Sequence, residues 1–160
     1  MRVLGIDPGY DRLGIAIVSA GIPKPIVEFS TCIETNKDDA FVKRLLVLTN
    51  EVKHILETKK PEVCALELLF LTKNQKTAMR VAEVRGALLY LISSFSIPVA
   101  EYTPLQIKQA TTGNGKSGKT EVAKMLPLIA TLPEKYRLDD EADAIATALT
   151  HLAYSRYPHA

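Results

Sequence analysis

Two short apolar runs that each stop at a carboxylate constrain this chain more than any other feature. Val3-Leu4-Gly5-Ile6 ends at Asp7, and Val63-Cys64-Ala65-Leu66 ends at Glu67. Brief apolar runs with β-branched residues, bounded by polar or turn residues, read as buried strands. A carboxylate at the end of such a strand is costly unless something compensates its charge. Strand ends are also where open α/β sheets gather their sites. Taken singly, either acid could instead cap a helix or pair with a lysine.

The rest of the chain supplies a frame for those strands. Pro8-Gly9 is a turn signal, Leu13 to Val18 is a second apolar run, and Ile26 to Ile33 is a third. Three such runs with short connections predict an antiparallel meander. From Asp38 to Thr58 the period changes, with Phe41, Leu45, Leu48, Val52, Ile55 and Leu56 at helical spacing and Pro61 just beyond. A long helix is expected over Lys73 to Ser94 and a fifth strand over Ile97 to Tyr102. Thr103-Pro104 is an N-cap followed by proline at the first helical position. Thr111 to Lys119 reads as an exposed loop, Thr120 to Ala130 as a short helix, and Asp139 to Tyr157 as the last helix. This order predicts an α/β fold, a mixed five-stranded sheet flanked by helices. With no repeat, linker or low-complexity stretch, residues 1–160 are expected to form a single domain.

Bulk properties narrow the class without naming a partner. A net charge of +2 neither announces nucleic acid nor excludes it, because a local patch matters more than a sum. Cys32 and Cys64 lie in strand-like runs and read as buried free thiols; zinc-ligand spacing is absent. The N-terminal run meets a charge at Asp7, which speaks against a signal peptide, and no apolar run is long enough to span a membrane. A cytoplasmic setting is expected.

Two more acids bear on chemistry. Asp140 and Asp143 are an i, i+3 pair on one helix face. Asp139, Asp140 and Glu141 suit a first helical turn, where acids meet the positive end of the helix dipole. Asp143 fits that account poorly, because Ala144-Ile145-Ala146 follow it on an apolar helix. Several carboxylates without histidine or cysteine suit hard, oxygen-preferring ions, Mg²⁺ with Mn²⁺ as a substitute. A pair of such ions can clamp the attacking and leaving oxygens of a phosphodiester. Asp7, Glu67, Asp140 and Asp143 are therefore the candidate catalytic and metal-binding residues, two ions per site.

Together these residues resemble a known family. Gly5-Ile6-Asp7-Pro8-Gly9, Glu67 with Phe70 three places on, and Asp140-Glu141-Ala142-Asp143-Ala144 are similar to the RuvC family of Holliday-junction resolvases. Lys73-Asn74, Ala82-Glu83-Val84-Arg85-Gly86 and Gln106-Ile107-Lys108-Gln109 fit it too, so the resemblance spans essentially the whole chain. It implies an RNase H-like fold, a homodimer, and symmetric cleavage of two opposed strands of a four-way DNA junction in recombination and repair. It also implies 5′-phosphate and 3′-hydroxyl ends, and a branch-migration complex of RuvA and RuvB type as partner. By the same resemblance Lys108 and Lys119 would stand near the active site and neutralise charge, and Phe70 would stack on bases at the junction centre. Lys73, Lys76, Arg80, Lys108, Lys116 and Lys119 are candidate DNA contacts. Where relatives usually follow the glutamate with glutamine, this chain has Leu68. Gly86 could let a second copy of its helix approach. The alternative is another RNase H-like nuclease, acting on RNA or RNA–DNA hybrids.

One motif points elsewhere. Gly113-Asn114-Gly115-Lys116-Ser117-Gly118-Lys119-Thr120 satisfies the phosphate-loop pattern GxxxxGK[ST] letter for letter. Such a loop must follow a buried strand, whereas Thr103 to Thr112 is polar and helix-like, so the match reads as chance. The loop remains a candidate for touching DNA phosphates through its lysines and backbone amides. His151, eight residues after Asp143, is expected either to support the acids or simply to ride a partly exposed helix. His54 and His159 read as surface residues.

Overall fold

The protein is described by a computed structural model covering residues 1–68, 75–134 and 139–156. Three antiparallel strands come first: β1 (Arg2–Asp7), β2 (Arg12–Ser19) and β3 (Ile26–Glu34). α1 (Phe41–Lys59) leads to β4 (Val63–Glu67), α2 (Gln75–Ser94) to β5 (Val99–Tyr102), and α3 (Pro104–Thr112), α4 (Lys119–Ile129) and α5 (Asp140–Arg156) follow. The sheet order is β3-β2-β1-β4-β5, with β4 parallel to β1 and β5 parallel to β4. This is the mixed five-stranded sheet expected from the sequence.

Strand period divides the core in two. Leu4 and Ile6 of β1 and Cys64 and Leu66 of β4 pack with Leu48, Val52, Ile55 and Leu56 of α1 and Val84, Leu88 and Ile92 of α2. Val3 and the β4 residues Val63 and Ala65 face the other way, toward Ile107, Val122, Leu126 and the alanine-rich surface of α5. Alternation therefore commits Asp7 and Glu67, two residues beyond Gly5 and Ala65, to the α5 side.

α5 lies unusually close to the sheet because glycines admit it. A Cβ on Gly5 would stand 2.1 Å from the Ala144 carbonyl oxygen, and one on Gly14 2.0 Å from that of Asp140. Both obstacles are backbone, so no rotamer change relieves them. Since Asp7 pairs with Gly14 across β1 and β2, this contact holds the first turn of α5 beside Asp7.

The local signals behave as their chemistry requires. α1 ends with Lys60 in a left-handed conformation, its N–H bonded to the Leu56 carbonyl, just before Pro61. Thr103 caps α3 by accepting from the Gln106 N–H at 3.1 Å, and Gln106 returns the bond to the Thr103 N–H at 2.9 Å. The exposed loop expected over 111–119 is shorter, running from 113 to 118 with Gly113, Asn114, Lys116 and Gly118 exposed. Thr111 and Thr112 complete α3, Thr111 and Ser117 are buried, and the Ser117 and Thr112 hydroxyls are 2.9 Å apart. Of the long helix expected from Lys73, residues 73 and 74 lie outside the described residues.

Candidate active site

Parallel pairing sets the first two acids side by side. Ile6 is level with Leu66, so Asp7 and Glu67 leave neighbouring strand ends on one face. Asp143 joins them from α5, and Pro104, Ile107, Lys108, Lys119 and Val122 complete a cleft of about 350 Å³. One wall is α3 and the start of α4, the other the first turn of α5.

The electrostatics reflect crowding of like charge. Burial raises the Asp7 carboxyl to about 7, and Glu67, Asp143 and Asp140 push the same way, with only Lys119 opposing. Glu67 is also raised, chiefly by burial and then by Asp143, while a hydrogen bond from Asp7 and the charges of Lys119 and Lys108 work against the rise. Lys119 Nζ lies 2.5 Å from Asp143 Oδ2, and that bond raises the lysine above its ordinary value.

Asp140 does not line the cleft. Arg12, the first residue of β2, reaches its Oδ2 through Nε at 2.5 Å and also pairs with Asp139. Cys32 Sγ lies 3.5 Å from the same Asp140 oxygen. Glu141 is buried and accepts from the Ser30 hydroxyl at 2.7 Å, which ties α5 to β3. Arg12 and Ser30 were not singled out by sequence reasoning, and Cys32, expected to be a buried thiol, is instead half-buried beside Asp140; no local pattern marks these contacts. Among the described residues no three acids, cysteines or histidines are arranged to enclose an ion as they stand. Lys119 and Arg12 take up Asp143 and Asp140 instead.

The phosphate-loop match has a structural answer. The segment follows helix α3, not a strand. Its amides are already spoken for: Gly113 N–H bonds the Gln109 carbonyl, Asn114 N–H the Thr112 hydroxyl, and Gly115 N–H the Gln109 side chain. Lys116 N–H bonds the Asn114 side chain, Ser117 N–H its carbonyl, and Gly118 N–H the Glu121 carboxylate. No amide of residues 113–118 remains to cradle a phosphate, and a carboxylate occupies the helix end where an anion would sit.

A family model for crossover junction endodeoxyribonuclease RuvC matches residues 3–151. The chain belongs to the RuvC family. It is 40% identical over 157 residues to the RuvC of Petrotoga mobilis, covering 98% of this chain and 96% of that one. Identity to the RuvC of Thermomicrobium roseum is 42% over 156 residues, with 98% and 95% covered. Among solved structures, T. thermophilus RuvC in complex with Holliday junction substrate superposes with a TM-score of 0.91 at 34% identity, over 99% of this chain and 96% of that one. Fold likeness extends to the yeast mitochondrial Holliday junction resolvase, TM-score 0.74 at 15% identity, over 97% and 79%.

The remaining candidate contacts distribute unevenly around this RuvC-family cleft. Lys108 and Lys119 line it, and Lys116 is exposed on the loop beside it. Lys76 is exposed on the first turn of α2. Arg80 lies 4.1 Å over the Phe41 ring and bonds Glu83 at 2.9 Å, so its guanidinium is already engaged. Phe70 and Lys73 lie outside the described residues. His151 sits deeper along α5, its Nδ1 2.9 Å from the Tyr102 hydroxyl, with burial lowering its pKa.

Proposed function

We propose that this chain is a structure-specific endonuclease that cuts four-way DNA junctions symmetrically, with Asp7, Glu67, Asp140 and Asp143 as its metal-holding carboxylates. The carrying observation is the convergence of Asp7, Glu67 and Asp143 on one cleft with Lys108 and Lys119, in a chain of the RuvC family. The matched relatives are named for crossover junctions, and one is solved with a Holliday junction. Those names favour a junction over an RNA–DNA hybrid as substrate.

The donor set fits hard divalent ions. It is all oxygen, and a cation relieves both the burial of Asp7 and its repulsion by the neighbouring acids. Asp7, Glu67 and Asp143 would hold Mg²⁺, or Mn²⁺ in its place, with Asp140 joining them from the first turn of α5, which Arg12 also holds through Asp139. When bound, two such ions supply a water of lowered pKa and neutralise charge on the departing 3′ oxygen. The protein's own part is positioning. β1 and β4 present two carboxylates at fixed spacing, and α5 brings the third across. Lys119 and Lys108 add positive charge where the scissile phosphate must enter, which favours the more highly charged transition state. Ile107, Val122 and Pro104 exclude water from one wall.

A homodimer belongs to the same reading, since two cuts on opposed strands need two sites. α2 supports it: Met79, Gly86 and Tyr90 fall on one face, Met79 and Tyr90 are 67% and 79% exposed, and a Cβ at Gly86 would meet nothing within 4 Å. A branch-migration complex of RuvA and RuvB type would be its partner. Free Cys32 and Cys64 suit the reducing cytoplasm.

The test is cleavage of a synthetic mobile junction with products mapped on all four strands. Paired nicks at symmetric positions, bearing 5′-phosphates, are expected with Mg²⁺ and not in EDTA. Equal cutting of linear duplex, or cutting that persists in EDTA, would overturn the reading.

A further inference from the structure

A buried arginine lies on the side of the sheet away from the acids, bonded to the turn that follows Asp7. Arg44, on α1, is the one buried cation among the described residues, its side chain 8% exposed. A guanidinium removed from water needs its donors matched, and Arg44 spends its bonds in one place. Its Nε donates to the Thr35 hydroxyl at 2.8 Å, and one terminal nitrogen donates to the Tyr10 carbonyl at 2.9 Å and to the Asp11 carboxylate. Thr35 reinforces the grip, its hydroxyl donating to the Tyr10 carbonyl at 2.7 Å and its N–H to the Asp11 carbonyl at 3.0 Å. The guanidinium also lies 4.9 Å over the Tyr10 ring.

Everything so gripped belongs to the β1–β2 turn or to the segment paired with it. That turn begins directly after Asp7 and ends directly before Arg12, the residue that holds Asp139 and Asp140. Two of the candidate carboxylates thus depend on one turn, Asp7 through the chain and Asp140 through Arg12. The same cluster continues outward. Tyr10 meets Phe41 edge-on at 6.4 Å, and Phe41 lies under Arg80 of α2. We propose that Arg44 is a positioning residue for the cleavage reaction, locking the Pro8–Asp11 turn so that Asp7 and Asp140 keep their places relative to Glu67 and Asp143. This rests on the proposed nuclease function.

Small displacements of catalytic groups are expensive: about 1 Å can cost on the order of 100-fold in rate. Arg44→Met should therefore lower the cleavage rate at saturating junction and Mg²⁺ by about 10- to 100-fold. Assays are run well below the melting temperature of each variant, which removes global unfolding as a cause. Junction affinity, measured in EDTA by fluorescence anisotropy, should stay within about threefold of the parent, because Arg44 is buried away from solvent. Arg44→Lys keeps the charge but cannot reach three acceptors at once, and should recover part of the rate. Parent-like cleavage by Arg44→Met, or a loss of rate matched by an equal loss of junction affinity, would overturn the inference. If Arg44→Met does not fold, the Asp11→Ala, Thr35→Val double variant removes both side-chain acceptors and leaves only the Tyr10 carbonyl, and a parent-like rate there overturns it equally. Failure of the parent chain to cut junctions would instead defeat the proposed function, so the two failures are distinguishable.

Discussion

At the scale of single residues, Asp7 joins stability to chemistry. In the unfolded chain its carboxyl titrates near 3.8, and in the fold, without metal, near 7. Between those values the folded state binds more protons than the unfolded one, so stability in EDTA falls as pH rises from about 4 through 7. A tenfold difference in proton affinity between the two states corresponds to about 1.4 kcal/mol, hence a few kcal/mol over the interval. Because the Glu67 carboxyl is raised as well, Asp7→Asn abolishes only the Asp7 share of that loss. Its melting temperature in EDTA should exceed the parent's at pH 8 by several degrees and match it near pH 4, while cleavage disappears. A variant less stable than the parent at pH 8 would show that the carboxylate is favourably solvated. Lys119 makes the complementary case, since its ammonium sits on Asp143 where an ion would compete for the same oxygens. Lys119→Met should bind Mn²⁺ several-fold more tightly by calorimetry yet cut about 100-fold more slowly, for want of charge at the phosphate. Weaker Mn²⁺ binding would remove Lys119 as a competitor.

Among the elements, α5 matters most, because its approach to β1 and β2 depends on Gly5 and Gly14. Gly5→Ala forces the helix outward against the Ala144 carbonyl and should cost about 1–3 kcal/mol, read as a lower melting temperature. Cleavage should fall further than stability, because Asp143 moves with the helix. Much of this architecture was legible beforehand. Short apolar runs ending at Asp7 and Glu67 named the right strands, and the Thr103-Pro104 cap named the start of α3, because both signals lie within a few residues. The dependence of Asp140 on Arg12 was not legible, since that grip joins groups 127 positions apart through Asp139 and leaves no period in the sequence. Arg44 was missed for a related reason. Its partner Asp11 lies 33 positions away, and an arginine in a helix reads as solvated unless its neighbours are known. The loop at 113–118 was legible from its glycines and lysines, whereas the burial of Ser117 was not, because its partner Thr112 belongs to the end of α3.

For the whole molecule, a sheet with helices on both faces leaves one surface of α2 without a neighbour in the described chain. Tyr90→Glu on that surface should halve the mass seen by light scattering and leave the melting transition of the subunit nearly unchanged, because Tyr90 is 79% exposed. It should also turn paired cuts into isolated nicks. A variant that still sediments with the parent's mass would exclude this face as the contact. The path of the chain has one last consequence, which concerns time. β1 and β4 emerge from the ribosome well before α5, and the cleft has no third carboxylate until α5 docks against Gly5 and Gly14. A half-made chain, or one whose α5 has come loose, holds two acids and no complete site. On the proposed function, such a chain would gain the power to cut DNA only when α5 is in place.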